Sequence, residues 1–192
     1  MTERRKEKFL EVLRARQTGL TVVMEDIHDP HNVSAMLRSA DAVGVGEVQL
    51  LYTKDKFPRL GKKSSASATK WIKRNPFDNV ETCYEKLRKR GFVICATHLG
   101  KKSASLYDID LTRNIAFVFG NEHRGVSDAA AKLADENFQI PMKGMIQSLN
   151  VSVACAVSLF EALRQRMESG MYGKPQLSRQ ALMKLFDEWS AK

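Results

Sequence analysis

The sequence has few cysteines and no long apolar run, and both shortages narrow the classes of protein it can encode. Three cysteines, Cys83, Cys95 and Cys155, occur in 192 residues, and none belongs to a C-x-x-C pair. Such isolated cysteines predict reduced thiols rather than disulfides or zinc ligands. No stretch approaches the roughly 18 consecutive apolar residues of a membrane span, and the charged N-terminal segment has no secretory apolar core. We therefore expect a cytoplasmic protein without a membrane anchor.

Two nucleotide-binding fingerprints and a plausible metal site are also missing. No G-x-G-x-x-G follows a predicted strand, which argues against a dinucleotide-dependent oxidoreductase. The loop 120–125 has two glycines but lacks the Lys-Ser/Thr of an ATP-binding phosphate loop. His28 and His31 are three residues apart without clear carboxylate or cysteine partners, so we predict no metal site.

Acidic residues are outnumbered, and the basic excess is concentrated in two places. The chain has 31 Lys and Arg against 22 Asp and Glu, a net charge of +9. Residues 54–74 contain eight basic residues and one acidic residue, and residues 1–20 contain six and three. A diffuse excess would indicate only a solvated surface, but clustered positive charge is typical of proteins that bind a polyanion. We predict nucleic-acid binding.

Short apolar runs alternate with helical patterns along the chain. Strand-like runs cover residues 21–26, 48–53, 92–97, 115–120 and 138–141, and "KWIKR" near Trp71 is a further candidate. Helical patterns cover residues 32–43, 79–90, 127–135 and 150–167. Apolar strands separated by helices predict an α/β domain with a parallel sheet, preceded and followed by one helix. The basic Ser/Ala stretch 64–69 is predicted to be a mobile loop.

The segment "EDIHDPHNVSAMLRSADAVGV", residues 25–45, combines a polar turn with a helix. Asn32 suits the N-cap of this helix, whose predicted core stripe is Val33, Met36, Leu37, Ala40 and Val43. Ser34, Arg38 and Asp41 lie on another face. Taken alone, the segment favours a structural interpretation, with Asn32 as cap and Arg38 and Asp41 as an exposed pair that contributes little.

The segment "IAFVFGNEHRGVSD", residues 115–128, ends a strand in a polar loop between two glycines. Glycine allows the backbone to approach a ligand closely. In parallel sheets, ligands bind beyond the carboxyl ends of the strands. The alternative is a solvated strand-to-helix turn, but Asn, Glu, His and Arg between two glycines favour a functional loop.

The segment "IPMKGMIQSLNVSVACAVSLFEALRQR", residues 140–166, joins an apolar loop to a helix. Ser148 or Asn150 would cap this helix, whose expected buried apolar set includes Val153, Ala154, Val157, Phe160 and Leu163. A cap requires one polar residue, and two flank Leu149. The second is therefore available to a ligand, and apolar residues of the loop could sandwich a flat one.

Together these segments resemble the three sequence motifs of the SpoU family of RNA 2′-O-ribose methyltransferases, within the SPOUT superfamily. The resemblance implies an α/β fold, a parallel-sheet SPOUT domain (residues 21–168) with a deep C-terminal trefoil knot. Short N- and C-terminal helices would flank it, in residues 1–20 and 169–192. It implies S-adenosyl-L-methionine as cofactor, tRNA as partner and a homodimer. The flanking helices are most similar to those of members that methylate guanosine 18 of tRNA; ribosomal RNA, a wobble nucleotide, or a silent RNA-binding module are alternatives.

Motif matching also implies roles for individual residues. The catalytic residues would be Asn32, Arg38, Glu122, Ser148 and Asn150. The cofactor pocket would contain Thr97, Leu99, Gly120, Ile140, Met142 and Leu149. RNA would be bound by Arg4, Arg5, Lys6, Lys8, Lys54, Lys56, Arg59, Lys62 and Lys63. The arginine matching Arg38 has been proposed as a base in this family, but a guanidinium is effectively always protonated. Our hypothesis is that Arg38 stays cationic and stabilises the developing alkoxide.

Overall fold

The computed structural model describes residues 1–54, 56–58, 68–100 and 102–191. In these residues a seven-stranded sheet has the order β3-β2-β1-β6-β4-β7-β5, and all neighbouring strands are parallel. The strands are β1 (Leu20–Glu25), β2 (Glu47–Leu51), β3 (Lys73–Phe77), β4 (Val93–Thr97), β5 (Ala104–Ser105), β6 (Ile115–Phe119) and β7 (Glu136–Gln139). The predicted α/β class with a parallel sheet is confirmed.

The described residues also form seven α-helices and one short 3-10 helix, Leu106–Asp108. The α-helices are α1 (Glu3–Arg14), α2 (Pro30–Ala42), α3 (Ala68–Trp71), α4 (Val80–Arg88), α5 (Asp128–Leu133), α6 (Val151–Glu168) and α7 (Arg179–Ser190). Helices α2 and α6 cover one face of the sheet, and α4 and α5 cover the other. The central strands β1 and β6 are buried along their whole length because helices cover both faces. In the described part of the chain, no helix is both long and apolar enough to cross a bilayer.

The edges of the sheet differ from the sequence-based prediction. Trp71 ends the short helix α3, so "KWIKR" is not itself a strand; the edge strand β3 begins at Lys73. The strand was predicted too early in the chain because Pro76 argues against a strand that continues past it. An edge strand accommodates proline, however, since its outward-facing N–H groups need no partner. Of the predicted mobile loop 64–69, residues 68 and 69 are in α3 and residues 64–67 lie outside the described residues. The two-residue strand β5 is too short to give a sequence pattern.

Helix α2 begins two residues earlier than predicted. Its N-cap is Asp29, whose side chain accepts a hydrogen bond from the amide of His31 at 2.8 Å. Pro30 occupies the first helical position, where its missing N–H is harmless. Asn32 is therefore not the cap, and its buried side chain is available for other contacts. The expected pair of Arg38 with Asp41 is also wrong, because Asp41 binds the buried Arg16 at 2.9 Å.

Helix α6 is confirmed as a helix, but its predicted buried set was only partly right. Ala154, Val157 and Leu163 pack partly buried against the core, whereas Val153 and Phe160 are 46% and 50% exposed. The fully buried face consists instead of Cys155, Ser158, Leu159, Ala162 and Arg166. Since α6 is apolar on more than one face, its periodicity could not select the buried one.

The terminal helices α1 and α7 pack against each other beside α3. Their contact is aromatic: the Phe9 ring lies 5.5 Å from Trp71, and Trp189 lies 4.9 Å from Trp71. Arg16 donates to the Trp71 carbonyl at 3.3 Å and stacks over the Trp189 ring. These contacts hold both chain ends to the segment that contains the basic cluster. The domain boundaries at residues 20 and 168 stay a prediction.

Candidate active site

A cavity of about 680 Å³ lies where β4, β6 and β7 end. Because the strands are parallel, the loops that follow them meet at the same edge of the sheet. Strand β7 ends at Gln139, earlier than predicted, so Ile140 leaves the strand and lines the cavity. All six residues predicted for the cofactor pocket line it: Thr97, Leu99, Gly120, Ile140, Met142 and Leu149.

Three of the predicted catalytic residues form one hydrogen-bonded chain at this cavity. Asn32 donates through Nδ2 to Glu122 Oε1 at 2.9 Å, and its Oδ1 accepts from Asn150 Nδ2 at 3.1 Å. The backbone amides of Asp29 and His28 donate to the two oxygens of Glu122, both at 3.0 Å. Asn32 lies 90 residues from Glu122 and 118 from Asn150, so only the fold brings these side chains together.

The hydrogen bonds around Glu122 decide its charge state. Burial by itself would raise the pKa of this carboxyl. The donors from the Asn32 side chain and from the amides of His28 and Asp29 outweigh burial, and the pKa lies below the ordinary value. Glu122 is therefore an ionised acceptor that fixes the start of α2, not an acid that gives up a proton near neutral pH.

Asn150 both caps helix α6 and contributes a hydrogen bond to the candidate site. Its Oδ1 accepts from the Ser152 amide at 2.8 Å and so caps α6, while its Nδ2 donates to Asn32. Only a side chain with both an acceptor and a donor can do this, which distinguishes Asn from Asp. Ser148 also lines the cavity and is exposed, and it is not needed as a cap.

The loop 120–125 is held in one shape by its glycines and by Asn121. A Cβ on Gly120 would overlap the carbonyl of Gly125 and the amide nitrogen of Val126. Gly125 has a φ of 69°, which suits glycine, and its N–H donates to the Asn121 carbonyl at 2.8 Å. Asn121 Nδ2 in turn donates to the Asp26 carbonyl at 2.8 Å. The sequence placed Asn121 in a functional loop but indicated no role for it by itself; its position directly after a strand-ending glycine was the available signal.

Arg38 is not part of this cavity in the single chain. It is exposed on α2, six residues after Asn32 and thus about 9 Å further along the helix axis. Its side chain makes no hydrogen bond or ion pair with the described residues. Four further ionisable side chains line the cavity, although no individual role was predicted for them: His98, His123, Arg124 and Asp128. His98 is next to Thr97, His123 and Arg124 are in the glycine loop, and Asp128 begins α5. In the described part of the chain no group of three or more metal-ligating side chains occurs.

The predicted RNA-binding residues are on the surface wherever the structure describes them. Arg4, Arg5 and Lys8 are exposed on α1, and Lys6 is half-buried there. Lys6 pairs with Glu3 at 3.0 Å and Lys8 with Glu11 at 2.9 Å, which are weak exposed contacts that a phosphate could replace. Lys54 and Lys56 are exposed after β2, whereas Arg59, Lys62 and Lys63 lie outside the described residues.

The comparison with known proteins agrees with this geometry. Residues 19–160 match the model of the SpoU rRNA Methylase family. The chain belongs to this family. The sequence-based prediction of the family, and of an RNA methyltransferase, is confirmed.

Members of the SpoU family with known structures or curated functions resemble the chain over most of its length. The tRNA (guanosine(18)-2′-O)-methyltransferase of Thermus thermophilus is 42% identical over 191 residues, which cover 100% of this chain and 98% of that protein. The crystal structure of the A. aeolicus TrmH/SpoU tRNA modifying enzyme superposes with a TM-score of 0.92 at 38% identity, covering 98% of this chain and 96% of that one. The SpoU methyltransferase AviRb from Streptomyces viridochromogenes, in complex with the cofactor AdoMet, gives 0.67 at 27% identity, covering 81% and 64%.

Proposed function

We propose that this protein transfers a methyl group from S-adenosyl-L-methionine to the ribose 2′-oxygen of guanosine 18 in the D-loop of tRNA. The observation that carries the proposal is the chain of Asn32, Glu122 and Asn150 at the edge of the cavity. The full-length similarity to the T. thermophilus enzyme supports the choice of tRNA and of this nucleotide. We place the activity in the cytoplasm, in keeping with three buried free thiols.

The cavity fits S-adenosyl-L-methionine in size and in the chemistry of its walls. Its volume of about 680 Å³ is within the range of small-molecule sites, about 300 to 1,000 Å³. Leu99, Ile140 and Leu149 provide apolar surface for the flat adenine ring, and the carboxylates of Glu122 and Asp128 outnumber the one guanidinium in the lining, that of Arg124. When bound, the cofactor supplies an electrophilic methyl group on a positively charged sulfur, which those carboxylates would favour.

The residues of this chain would orient the ribose and stabilise negative charge. The Glu122–Asn32–Asn150 chain fixes the relative positions of α2 and the start of α6, so the groups at the site are aligned before the substrate binds. Arg38 would remain cationic and stabilise the oxygen that loses its proton, because a fixed positive charge near a developing oxyanion lowers the barrier without moving. The proton would leave by a route other than Arg38.

We further propose a homodimer in which Arg38 acts beside the partner's cavity. Val153, Phe160 and Met167 are spaced by seven residues on α6 and are 46%, 50% and 62% exposed. Such a stripe on one helix face is typical of an interface. Helices α2 and α6 pack side by side, so a second copy against α6 would also meet the exposed face of α2 that carries Arg38. Three more exposed apolar residues lie in the loops of the cavity: Leu99, Met145 and Ile146.

The connection between β7 and α6 supports a trefoil knot, which we include in the proposal. Strand β7 lies beyond β4, whereas α6 packs on α2 on the other side of β6. Residues 140–150 must therefore cross the ends of β4 and β6, and they line the cavity together with the loops 97–99 and 120–126. Threaded chains are rare, so this crossing would be a specific feature of the family fold.

Methyl transfer to defined RNAs tests the proposed function. Purified protein is incubated with radiolabelled S-adenosyl-L-methionine and unmodified tRNA transcripts, with ribosomal RNA in parallel, and the product is mapped by nuclease digestion and mass spectrometry. We expect 2′-O-methylguanosine at position 18, and no product from a matched transcript with 2′-deoxyguanosine there. Methylation at another nucleotide would retain the chemistry and refute the substrate. Cofactor binding without transfer to any RNA would favour a silent RNA-binding module.

Arg38 gives a second test, which separates a cation from a base. Arg38→Ala should abolish transfer while leaving cofactor affinity intact, because Arg38 does not line the cavity. Arg38→Lys should give a lower pH–rate profile of unchanged shape. If Arg38 itself lost a proton, the limiting ionisation of the lysine variant should instead shift down by about two units or more, since the lysine pKa is lower. That shift would contradict the cationic role.

A further inference from the structure

The last residue before the β1–α2 turn has an unusual backbone. Asp26 has a φ of 48°, and among the described residues it is the one non-glycine with a positive φ. Asp adopts this left-handed conformation more readily than most residues, but the surroundings must still stabilise it. Asp26 is also buried, with 5% of its surface exposed. A buried carboxylate in a strained conformation indicates that the contacts of its side chain matter.

The Asp26 side chain holds the first residues that follow β2. Its Oδ1 accepts from the amides of Thr53 and Lys54 at 2.9 and 3.2 Å, and its Oδ2 accepts from Thr53 Oγ1 at 3.0 Å. A further hydrogen bond joins the same two segments: the Tyr52 hydroxyl donates to the Ile27 carbonyl at 2.9 Å. Residues 52–54 are the start of the basic segment that contains Lys54 and Lys56.

The backbone of the same turn holds the site. The Asp26 carbonyl accepts from Asn121 in the loop 120–125 at 2.8 Å. Two and three residues later, the amides of His28 and Asp29 bind Glu122. One residue therefore touches both the segment expected to bind RNA phosphates and the loop expected to bind the cofactor, without itself lining the cavity.

We infer that Asp26 is a positioning residue that fixes the basic segment after β2 relative to the Glu122 loop. Phosphate contacts set the register of a bound nucleic acid but carry no sequence information. With Thr53 and Lys54 held by Asp26, phosphates bound at Lys54 and Lys56 would place the ribose at a set distance from the Asn32–Glu122–Asn150 chain. This inference rests on the proposed function, and it assigns the coupling between substrate binding and the site to one residue, whose side chain binds one segment and whose backbone carbonyl binds the other.

Two substitutions separate the backbone of Asp26 from its side chain. Asp26→Gly keeps the positive φ accessible and removes the three hydrogen bonds accepted from Thr53 and Lys54. Asp26→Asn keeps an acceptor for both amides, can donate to Thr53 Oγ1, and tolerates the same backbone. The matched control is Asp110→Gly, because Asp110 also accepts from the amide and hydroxyl of a threonine, Thr112, and lies before β6, away from the cavity.

Hydrogen exchange tests the link in the protein alone. Asp26→Gly should speed amide exchange both in residues 52–58 and in residues 121–125, whereas Asp26→Asn and Asp110→Gly should leave both segments as in the wild type. Faster exchange confined to residues 52–58 would show that Asp26 does not couple the two segments and would overturn the inference. Since no substrate is needed, this result is independent of whether the proposed function holds.

Kinetics test the consequence for the reaction. Asp26→Gly should lower kcat/KM for tRNA about tenfold and raise the cofactor Kd by a clearly smaller factor, and Asp26→Asn should restore both. A purely structural role would instead weaken cofactor binding in parallel, or leave the kinetics unchanged, and either result would overturn the inference. If Asp26→Gly does not fold, Thr53→Ala provides a second test, because Thr53 is exposed and its hydroxyl is one of the three donors to Asp26. Thr53→Ala should also lower kcat/KM, and an unchanged value would overturn the inference. Wild-type protein that methylates no tRNA would refute the proposed function, not the link.

Discussion

At the scale of single residues, the site depends on side chains that each make two or more hydrogen bonds. Asn32 and Asn150 both donate and accept, and each joins a helix start to another segment. Glu122 accepts from two backbone amides and one side chain. Hydrogen bonds to a charged group contribute about 1.5–3 kcal/mol. The residues that would carry out the chemistry therefore also stabilise the fold.

Replacing Glu122 with Gln should make the free energy of unfolding less dependent on pH in the acidic range. The pKa of Glu122 is lowered in the folded protein, so its ionised form stabilises the fold above the ordinary glutamate pKa. This contribution is lost as the pH falls through the lowered value. At pH 7, Glu122→Gln should reduce the free energy of unfolding by about 1–3 kcal/mol, and the difference from wild type should shrink as the pH falls below the ordinary glutamate pKa. Urea unfolding at several pH values measures it; a difference that is constant with pH would contradict the role of the charge.

Replacing Gly120 with Ala should damage the cavity directly. The added methyl group would overlap backbone atoms of Gly125 and Val126, so the loop must shift. We expect the affinity for S-adenosyl-L-methionine to fall at least about tenfold, measured by calorimetry. Gly144→Ala is the matched control, because it lies in another loop of the same region and an added Cβ there meets nothing within 4 Å. Equal affinities of the two variants would contradict the prediction.

At the scale of elements, α6 has two apolar faces, of which one is buried and the other is exposed. One face, which includes Cys155, Leu159 and Ala162, is buried against the sheet, and the face with Val153, Phe160 and Met167 is left exposed. A helix of this kind in a single chain exposes apolar surface that a partner would cover. The cap of the same helix, Asn150, belongs to the site. Dimer formation and catalysis would thus depend on one element.

A charge in the middle of the exposed face should separate the subunits. Phe160→Asp would place a carboxylate where the proposed interface excludes water, which is costly without a partner charge. We expect sedimentation analysis to show a dimer for the wild type and a monomer for the variant, together with a loss of methyl transfer. Met183→Asp on α7, where the methionine is 46% exposed, is the control and should remain dimeric. A monomeric wild type would refute the homodimer.

At the scale of the whole molecule, the basic excess of +9 is brought to particular surfaces by the fold. The aromatic contacts of Phe9, Trp71 and Trp189 hold α1 and α7 beside α3. The basic residues of α1 are thereby fixed near the end of the second basic cluster, although the two are some distance apart in sequence. An RNA could contact both at once, which increases affinity beyond either cluster alone.

Removing these cations should reduce the salt dependence of tRNA binding. For every phosphate that a variant no longer neutralises, the slope of log affinity against log salt should become shallower by about 0.7–0.9. We expect this for Arg4→Ala with Arg5→Ala, and for Lys54→Ala with Lys56→Ala, in filter-binding titrations. Lys132→Ala, an exposed lysine on α5, is the control and should leave the slope unchanged. If the control lowers the slope as much as the double variants, the binding is diffuse over the surface.

The sequence by itself determined the family and the fold class, and it selected six residues that the structure places around one cavity. The strands could be predicted from continuous apolar runs because parallel strands are buried on both faces, as β1 and β6 are. The loop motifs could be recognised because ligand contacts restrict the residue types within a short segment. All six residues predicted for the pocket line the cavity. Both signals are contained within a few consecutive residues.

The tertiary structure decided which role each polar residue has and which face of α6 is buried. The local sequence predicts Asn32 as a helix cap, but in the structure Asp29 is the cap. The contacts of Asn32 with Glu122 and Asn150 span 90 and 118 residues. Asp41 pairs with Arg16 from a distant segment instead of with its neighbour on the helix. The position of Asp26 between two loops is likewise invisible in its own segment. Hydrogen bonds between distant segments leave no periodic pattern in the chain, so only the packed fold shows which partners meet.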